Sequence, residues 1–343
     1  MGKVADSTGP VRRTHGANPL VPLPDGTRPA PDRPAHALRL PDATFCRHAM
    51  SAAMPQPVVR SFHHAATGTW THVVVDPATR HAAIIDAVLD FDFSSGRITS
   101  ESASRVLEYV ATAGLAVDWI LETHAHADHL SAGAWMRERT QAQLAIGAGI
   151  VDVQRTFQRL LDLGDDFATD GSQFDRLLAD ADEFKIGELI ARVIATPGHT
   201  SDSVAYAIGD AVFVGDTLFA PHAGTARCDF PGGDAATLCA SIRRLYELDG
   251  MTRVFLCHDY PAANAEPVAE TTIAAQKSAN THLRAETPEC DYVALRTGRD
   301  RTLAVPKLLW PAIQFNIRGG RPPPADADGR MYFKLPVAIE PAP

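Results

Sequence analysis

Short runs of apolar and β-branched residues, separated by turn-forming residues, predict the strands of this chain. Thr71–Asp76 and His81–Asp86 are two such runs, and the Pro-Ala-Thr-Arg sequence between them favours a tight turn. The two runs are therefore predicted to form a β-hairpin. The same pattern predicts five further strands, which are Val117–Leu121, Leu189–Ile194, Ser203–Ile208, Ala211–Val214 and Val254–Cys257.

Three longer segments carry apolar residues at helical spacing. Ser100–Ala113 is the first, and Thr99 or Ser100 can serve as its N-cap. Ala235–Leu248 and Glu266–Asn280 are the other two predicted helices. Strands that first follow one another and later alternate with helices are typical of an α/β (α+β) sandwich, in which the sheets lie inside and the helices outside.

The N-terminal segment has a different composition from the rest of the chain. Residues 1–49 are rich in Pro, Gly, Arg and Ala and show no apolar periodicity, so we predict a disordered or loosely attached segment. Residues 50–343 are then the folded domain with a C-terminal closing segment. In one interpretation, translation starts at Met50 or Met54. A transit peptide is the competing interpretation, although such peptides are usually less acidic than a segment with Asp6, Asp25, Asp32 and Asp42.

The composition of the chain indicates which kind of binding partner and which cellular compartment to expect. The chain has 343 residues and a formal net charge of −9, which argues against nucleic acid and favours a small-molecule partner. Five cysteines without a C-x-x-C pair argue against a disulfide framework or a structural zinc site. No apolar run approaches the roughly 18 residues of a membrane span, and the N-terminus lacks a secretory signal. We therefore expect a cytoplasmic protein that does not contact a membrane.

A cluster of metal-ligand residues follows the predicted strand Val117–Leu121. His124, His126, Asp128 and His129 lie within Thr-His-Ala-His-Ala-Asp-His, and alternation along an extended segment would direct His124 and His126 the same way. Imidazole and carboxylate ligands suit zinc, iron or manganese. The alternative interpretation is a histidine-rich surface loop.

Three further residues of the same kind follow other predicted strands. His199 lies in Thr-Pro-Gly-His-Thr, Asp216 in Gly-Asp-Thr-Leu-Phe, and His258 in His-Asp-Tyr. Each of them alone would be an ordinary turn or surface residue. Together with the first cluster, they place a potential ligand at four separate strand ends, which favours a single metal centre over the surface-loop alternative.

These motifs, in this order, resemble those of the metallo-β-lactamase superfamily in its glyoxalase-II-like branch. The resemblance covers roughly Val58 to Pro336. It implies a four-layer αββα sandwich with the metal at one edge, between the two sheets.

The resemblance leaves two types of enzyme open. Glyoxalase-II-type hydrolases use all seven groups to hold two Zn(II) ions. Persulfide dioxygenases bind one Fe(II) per chain, and their ligands would correspond here to His124, His199 and Asp216. The other ligand-type residues would then surround the iron or hold a second metal; they are His126, Asp128, His129 and His258. Of these, Asp128 and His258 would act in catalysis together with Tyr260, by orienting groups or moving protons.

The sequence around the motifs resembles the persulfide dioxygenases more closely. Arg227-Cys228-Asp229-Phe230 is similar to their R-x-D-F element, whose arginine is thought to meet the substrate. The guanidinium of Arg227 could donate two parallel hydrogen bonds, as a fork, to a carboxylate of a glutathione-like thiol, or it could instead form a structural pair with Asp229.

Tyr260 matches a family tyrosine near the substrate. Pro306–Pro323 resembles the closing segment of these enzymes, with Asn316-Ile317-Arg318 its most recognisable part. Cys228 is either a reactive thiol beside a guanidinium or a small packed residue.

The expected function is therefore a persulfide dioxygenase that oxidises glutathione persulfide, or a similar thiol persulfide, with O₂ to sulfite and thiol. The alternative is a dinuclear zinc thioester hydrolase of the glyoxalase II type. The expected partners are the persulfide and O₂, and relatives of this kind are often homodimers or homotetramers.

Overall fold

The computed structural model describes residues 56–259, 261, 265–337 and 339. The predicted N-terminal segment and Tyr260 lie outside these residues, so the predictions made for them stay predictions. The strands are β1 (Val58–His64), β2 (Thr69–Val75), β3 (His81–Ile85), β4 (Val88–Asp92), β5 (Arg97–Thr99), β6 (Ala116–Leu121), β7 (Leu130–Ser131), β8 (Gln143–Gly147), β9 (Arg176–Leu178), β10 (Glu183–Ile186), β11 (Leu189–Ala195), β12 (Val204–Ile208), β13 (Ala211–Phe213), β14 (Arg253–Phe255) and β15 (Glu270–Thr272). The helices are α1 (Glu101–Thr112), α2 (Gly133–Thr140), α3 (Ile150–Leu160), α4 (Ala235–Leu245), α5 (Ile273–Ala279), α6 (Glu289–Asp300) and α7 (Leu309–Asn316).

Two sheets of six strands each form the centre of the fold. The first has the order β1-β2-β3-β6-β8-β9 and the second β10-β11-β12-β13-β14-β15, while β5, β4 and β7 form a small third sheet. Both large sheets are mixed, because β3, β6, β8 and β9 pair in parallel in the first and β13 and β14 do so in the second. Parallel neighbours end at the same sheet edge, which is where the ligand-type residues follow.

Both faces of each large sheet are buried, which makes the fold a four-layer αββα sandwich as predicted. Side chains alternate along a strand, so Val74 packs between the sheets while Val73 packs against the helices. The core between the sheets also contains Tyr206 and Phe213. The outer core of the first sheet includes apolar residues of α1, α2, α3 and α7, and that of the second includes residues of α4, α5 and α6.

Most of the predicted elements are present with small shifts at their ends. The hairpin is confirmed by antiparallel β2 and β3. Helix α4 ends at Leu245, earlier than predicted. The prediction of one helix over Glu266–Asn280 is wrong at its start, because residues 270–272 form β15 beside β14. Thr272 then caps α5 by accepting a hydrogen bond from the Ala275 N–H, so the helix begins only after the strand.

The C-terminal helices α6 and α7 were not predicted. Helix α7 contains Pro311, and proline inside an apolar segment argues against a helix. Pro311 lies in the first turn, however, where the backbone N–H has no partner within the helix, so the ring is tolerated. None of the helices in the described part of the chain has the length and apolar character of a membrane-spanning helix.

Candidate metal centre

Four strand ends bring the predicted ligand residues to one place. His124 follows β6, His199 follows β11, Asp216 lies in a short 3₁₀ turn after β13, and His258 follows β14. All four are buried. The histidine-rich surface loop is therefore excluded.

His124, His199 and Asp216 form one group of three donors. The Nε2 atoms of His124 and His199 lie 3.8 and 3.7 Å from Oδ2 of Asp216. A single ion with bonds of about 2.1 Å can span such separations at a wide angle. Nε2 of His124 and Oδ1 of Asp216 are buried and make no hydrogen bond to the residues that the structure describes. Buried polar atoms usually have a hydrogen-bond partner, so two such atoms without one are as expected for ligands of a metal ion.

A second group contains His126, Asp128, His129 and His258, whose donor atoms lie within 4.8 Å of one another. Nε2 of His258 is 2.9 Å from Oδ2 of Asp128. Burial lowers the pKa of His258, but the charges of Asp128 and Asp216 outweigh it and raise that pKa to about 9. In this geometry His258 and Asp128 are engaged with each other as an ion pair.

Hydrogen bonds fix the orientation of the ligand side chains in the first group. Nδ1 of His199 donates to the main-chain oxygen of Arg227 at 2.7 Å, which leaves the Nε2 lone pair for a metal. Nδ1 of His124 lies 3.0 Å from the Thr123 hydroxyl, which donates to Asp86. Gly215 has a φ of +53°, and a Cβ on it would lie 2.6 Å from the Thr123 hydroxyl oxygen. A glycine is therefore needed where Asp216 enters the site.

His126 differs from the expectation that it points the same way as His124. The two rings are adjacent, with centroids 4.0 Å apart, but Nε2 of His126 faces Asp86 at 3.0 Å and Glu122 at 3.4 Å. Burial lowers the pKa of His126, and Asp86 with Glu122 more than compensates, so that this pKa is well above its usual range. Only Nδ1 of His126 remains for a metal, and it groups with Asp128, His129 and His258 rather than with His124.

Sequence reasoning missed several residues that support the centre. Asp86 ends the predicted strand His81–Asp86, and a position at a strand end is the signal that identified Asp216, but Asp86 was predicted only as part of that strand. Glu122 precedes the histidine motif and gave no signal. Cys257 is buried and its sulfur lies within 4.8 Å of donor atoms of Asp216 and His258. Burial and the neighbouring carboxylates raise the pKa of Cys257 well above its usual range.

A cavity of about 350 Å³ opens on the metal centre and is lined by His199 and Asp216 of the first group and by Asp128 of the second. Arg227 and Phe230 form part of its wall. The guanidinium of Arg227 already binds Asp229, through Nε and Nη2 at 2.6 Å each, and donates from Nη1 to the oxygen of Ala304 at 2.7 Å. Of the two interpretations of Arg227, the structure therefore contains the pair with Asp229, and the fork is not open to a carboxylate of the substrate.

Cys228 is a packed residue in this structure. Its side chain belongs to the core between the second sheet and its helices. Burial, with the nearby Asp300, raises the pKa of Cys228 to about 12. The alternative of a reactive thiol with a lowered pKa is therefore wrong.

Comparison with known proteins identifies the family. The family model of the metallo-beta-lactamase superfamily matches residues 66–258. A beta-lactamase hydrolase-like protein of Agrobacterium fabrum is 47% identical over 89% of this chain and 70% of its own length. A probable metallo-hydrolase of Burkholderia pseudomallei is 43% identical over 81% of this chain and 98% of its own length. The human persulfide dioxygenase ETHE1 is more distant, at 27% identity over 62% of this chain and 72% of its own length.

Among solved structures, ETHE1 from Myxococcus xanthus matches with a TM-score of 0.62 and 31% identity, over 77% of this chain and all of that one. The αββα fold, the ligand-type residues at four strand ends and these matches agree. The chain belongs to the metallo-β-lactamase superfamily.

Proposed function

We propose that this protein is a persulfide dioxygenase with one Fe(II) per chain, held by His124, His199 and Asp216. The overall reaction is R-S-SH + O₂ + H₂O → R-SH + H₂SO₃, and the product then loses protons to give sulfite. The S–S bond breaks and the terminal sulfur gains three oxygen atoms, of which two come from O₂ and one from water. Sulfur loses the four electrons with which O₂ is reduced. Glutathione persulfide is the first candidate for R-S-SH.

The observation that carries this proposal is the group of two histidines and one carboxylate, in which Oδ1 of Asp216 also lies 3.5 Å from Nε2 of His258. Its donors are buried and close together, and two of them, His199 and Asp216, line the cavity. Two imidazoles and one carboxylate suit Fe(II) and leave coordination positions open for O₂ and substrate. Iron bound there would supply the redox chemistry that O₂ requires. The likeness to ETHE1 structures and sequences supports the same activity.

The chain's own residues would position the substrate and handle protons. Asp128 borders the cavity and holds His258 at 2.9 Å, and the raised pKa of His258 retains a proton near the reacting sulfur at neutral pH. We assign these two residues to proton transfer, and we keep the sequence-based prediction that Tyr260 acts with them. Phe230 packs edge-on against the His199 ring, with centroids 5.4 Å apart, and helps to exclude water from the ligands.

A dinuclear zinc thioester hydrolase of the glyoxalase II type is the second candidate. The group formed by His126, Asp128, His129 and His258 could hold a second ion with Nδ1 of His126 turned towards it. The hydrolase names of the more similar relatives also favour this candidate. Zinc held by these residues would activate water for the hydrolysis of a thioester.

Metal content and O₂ uptake separate the two candidates. The protein is purified without oxygen and its iron and zinc are quantified, and O₂ consumption and sulfite formation are then followed with glutathione persulfide. We expect about one iron per chain and O₂ uptake that matches sulfite formation. Two zinc ions per chain, no O₂ uptake and hydrolysis of an acylglutathione would contradict the dioxygenase proposal and favour the hydrolase.

A further inference from the structure

The cavity beside the metal centre is lined by acidic, histidine and cationic side chains. Asp128, His199 and Asp216 lie at the metal end. His282, Arg296 and Arg299 line the cavity as well, and Arg296 and Arg299 come from the C-terminal half of helix α6. His282 and Arg299 also line a neighbouring cavity. A ligand that extends from the metal would therefore reach cationic and polar side chains.

Two of the three arginines that line this cavity are neutralised by aspartates. Arg227 forms the fork with Asp229 described above. Arg296 is buried, donates from Nε to Asp300 at 2.8 Å and from Nη1 to the oxygen of Thr225 at 3.0 Å. Arg299 is exposed, and its guanidinium has no hydrogen bond or ion pair within the described part of the chain. The unneutralised positive charge of the cavity therefore belongs to Arg299.

His282 places a fixed donor beside Arg299. Its Nδ1 accepts the backbone N–H of Thr225 at 2.9 Å, so the proton of the neutral ring must be on Nε2. Burial, with the charges of Arg296 and Arg299, lowers the pKa of His282 to about 4, so the ring stays neutral at physiological pH. Gly224, at a φ of +87°, leaves room for the ring, because a Cβ there would lie 2.2 Å from Nδ1. The absence of a side chain at Gly224 therefore allows the ring to occupy this position in the cavity wall.

We infer that Arg299 and Nε2–H of His282 bind a carboxylate of the thiol that carries the persulfide. The preferred substrates would then be persulfides of small acidic thiols, such as glutathione, rather than of neutral or basic ones. Guanidinium pairs with carboxylate through two parallel hydrogen bonds, and the adjacent imidazole N–H offers a third. The inference rests on the proposed function for the identity of the reacting group. It assigns to Arg299 the carboxylate recognition that Arg227 cannot perform while it is bound to Asp229.

Binding of glutathione and of its diethyl ester to the metal-loaded protein tests the inference by calorimetry. The ester keeps the thiol and the size of the molecule but lacks both carboxylates. We expect Arg299→Gln to weaken glutathione binding roughly tenfold, as loss of one charge-assisted contact predicts, and to leave ester binding unchanged. Arg299→Lys keeps the charge without the fork and should recover part of the affinity. Arg301→Gln is the matched control, because Arg301 is also exposed, ends the same helix and does not line the cavity.

Steady-state O₂ consumption gives the second readout. Arg299→Gln should raise KM for glutathione persulfide roughly tenfold and leave kcat unchanged, because the contact is made equally before and during the reaction. The inference is overturned if Arg299→Gln binds glutathione like the unchanged protein. It is also overturned if glutathione and ester lose affinity equally, if Arg301→Gln has the same effect, or if the unchanged protein binds neither compound. Arg299-dependent glutathione binding without O₂ uptake would instead contradict the proposed function alone.

Discussion

Asn316 joins helix α7 to the loop that carries the histidine motif. Its Nδ2 donates to the main-chain oxygens of His126 and His129, at 2.8 Å each, and its Oδ1 accepts the N–H of Ser131, also at 2.8 Å. The side chain is buried. The C-terminal segment therefore satisfies three backbone groups of the ligand loop with one amide.

Replacement of Asn316 should weaken both the fold and the metal site. Asn316→Ala would leave two carbonyl oxygens and one N–H buried without partners, and we expect a loss of about 2–4 kcal/mol in the free energy of unfolding. The loop would then hold its ligands less firmly, so the metal content should fall. Denaturant unfolding of the metal-free protein and metal quantitation of the loaded protein measure the two effects.

Gln314 offers a matched control on the same helix. It is also buried, but its Nε2 donates to the oxygens of Trp310 and Lys334, at 2.7 and 2.9 Å, and not to the ligand loop. Gln314→Ala should destabilise the protein while the metal content stays normal. Equal metal loss in the two variants would show that Asn316 acts only through general stability.

The division of the ligands into two groups predicts different effects of two histidine substitutions. His124→Ala removes a donor of the first group and should abolish iron binding. His129→Ala removes a donor of the second group, and about one iron per chain should remain if that group holds no metal. Metal quantitation after identical loading measures both. His81→Gln serves as a control, because His81 begins β3 at the end opposite Asp86. A fall from two ions to one in His129→Ala would support the dinuclear alternative.

Arg227 should act on catalysis through the cavity wall rather than through a carboxylate of the substrate. Lysine cannot reproduce its fork to Asp229 together with the contact to Ala304, so Arg227→Lys would loosen the loop that carries Phe230. We expect kcat/KM to fall roughly tenfold, and by the same factor for persulfides of glutathione and of cysteamine, which has no carboxylate.

Arg253 provides a control for the effect of Arg227→Lys on kcat/KM. It makes a similar fork to Asp210, through Nε and Nη2 at 2.8 and 2.7 Å, on β14 and away from the cavity. Arg253→Lys should leave kcat/KM close to that of the unchanged protein. A loss confined to glutathione persulfide in Arg227→Lys would mean that Arg227 does contact the carboxylate, and that its pair with Asp229 opens when substrate binds.

The sequence was sufficient to predict the fold and the residues that meet at the centre. His124, His199, Asp216 and His258 each follow an apolar run, and strand ends are recognisable from local pattern alone. Their convergence could be inferred only through the resemblance to the metallo-β-lactamase superfamily, because His124 follows a strand of one large sheet and the other three follow strands of the second. The division of the donors into two groups could not be inferred. It depends on the direction of the His126 side chain, which its contacts with Asp86 and Glu122 determine.

The other features that the sequence did not predict share a physical cause. In each of them, contacts with residues distant in the sequence determine the structure. Arg227 could pair with Asp229 or with a substrate, and only the folded loop with Ala304 beside it selects the first. Residues 270–272 lie within a helical pattern but add a strand to β14 because that sheet edge is available. Asn316 was recognised by resemblance, but its contacts to the ligand loop span too many residues to be read from local pattern.

Cysteine reactivity tests whether Cys228 is packed, as its burial and its pKa of about 12 indicate. At pH 8 only about one in 10⁴ of such thiols would be ionised, and the thiolate is the form that an alkylating agent attacks. Cys290 is exposed at the start of α6 and should be labelled by iodoacetamide in the native protein, whereas Cys228 should be labelled only after denaturation. Mass spectrometry of the peptides locates the label, and Cys290→Ser removes the native site expected within the described part of the chain. Rapid native labelling of Cys228 would mean that its loop opens, and since His199 donates to the oxygen of Arg227 next to it, the metal ligand would then lose its support as well.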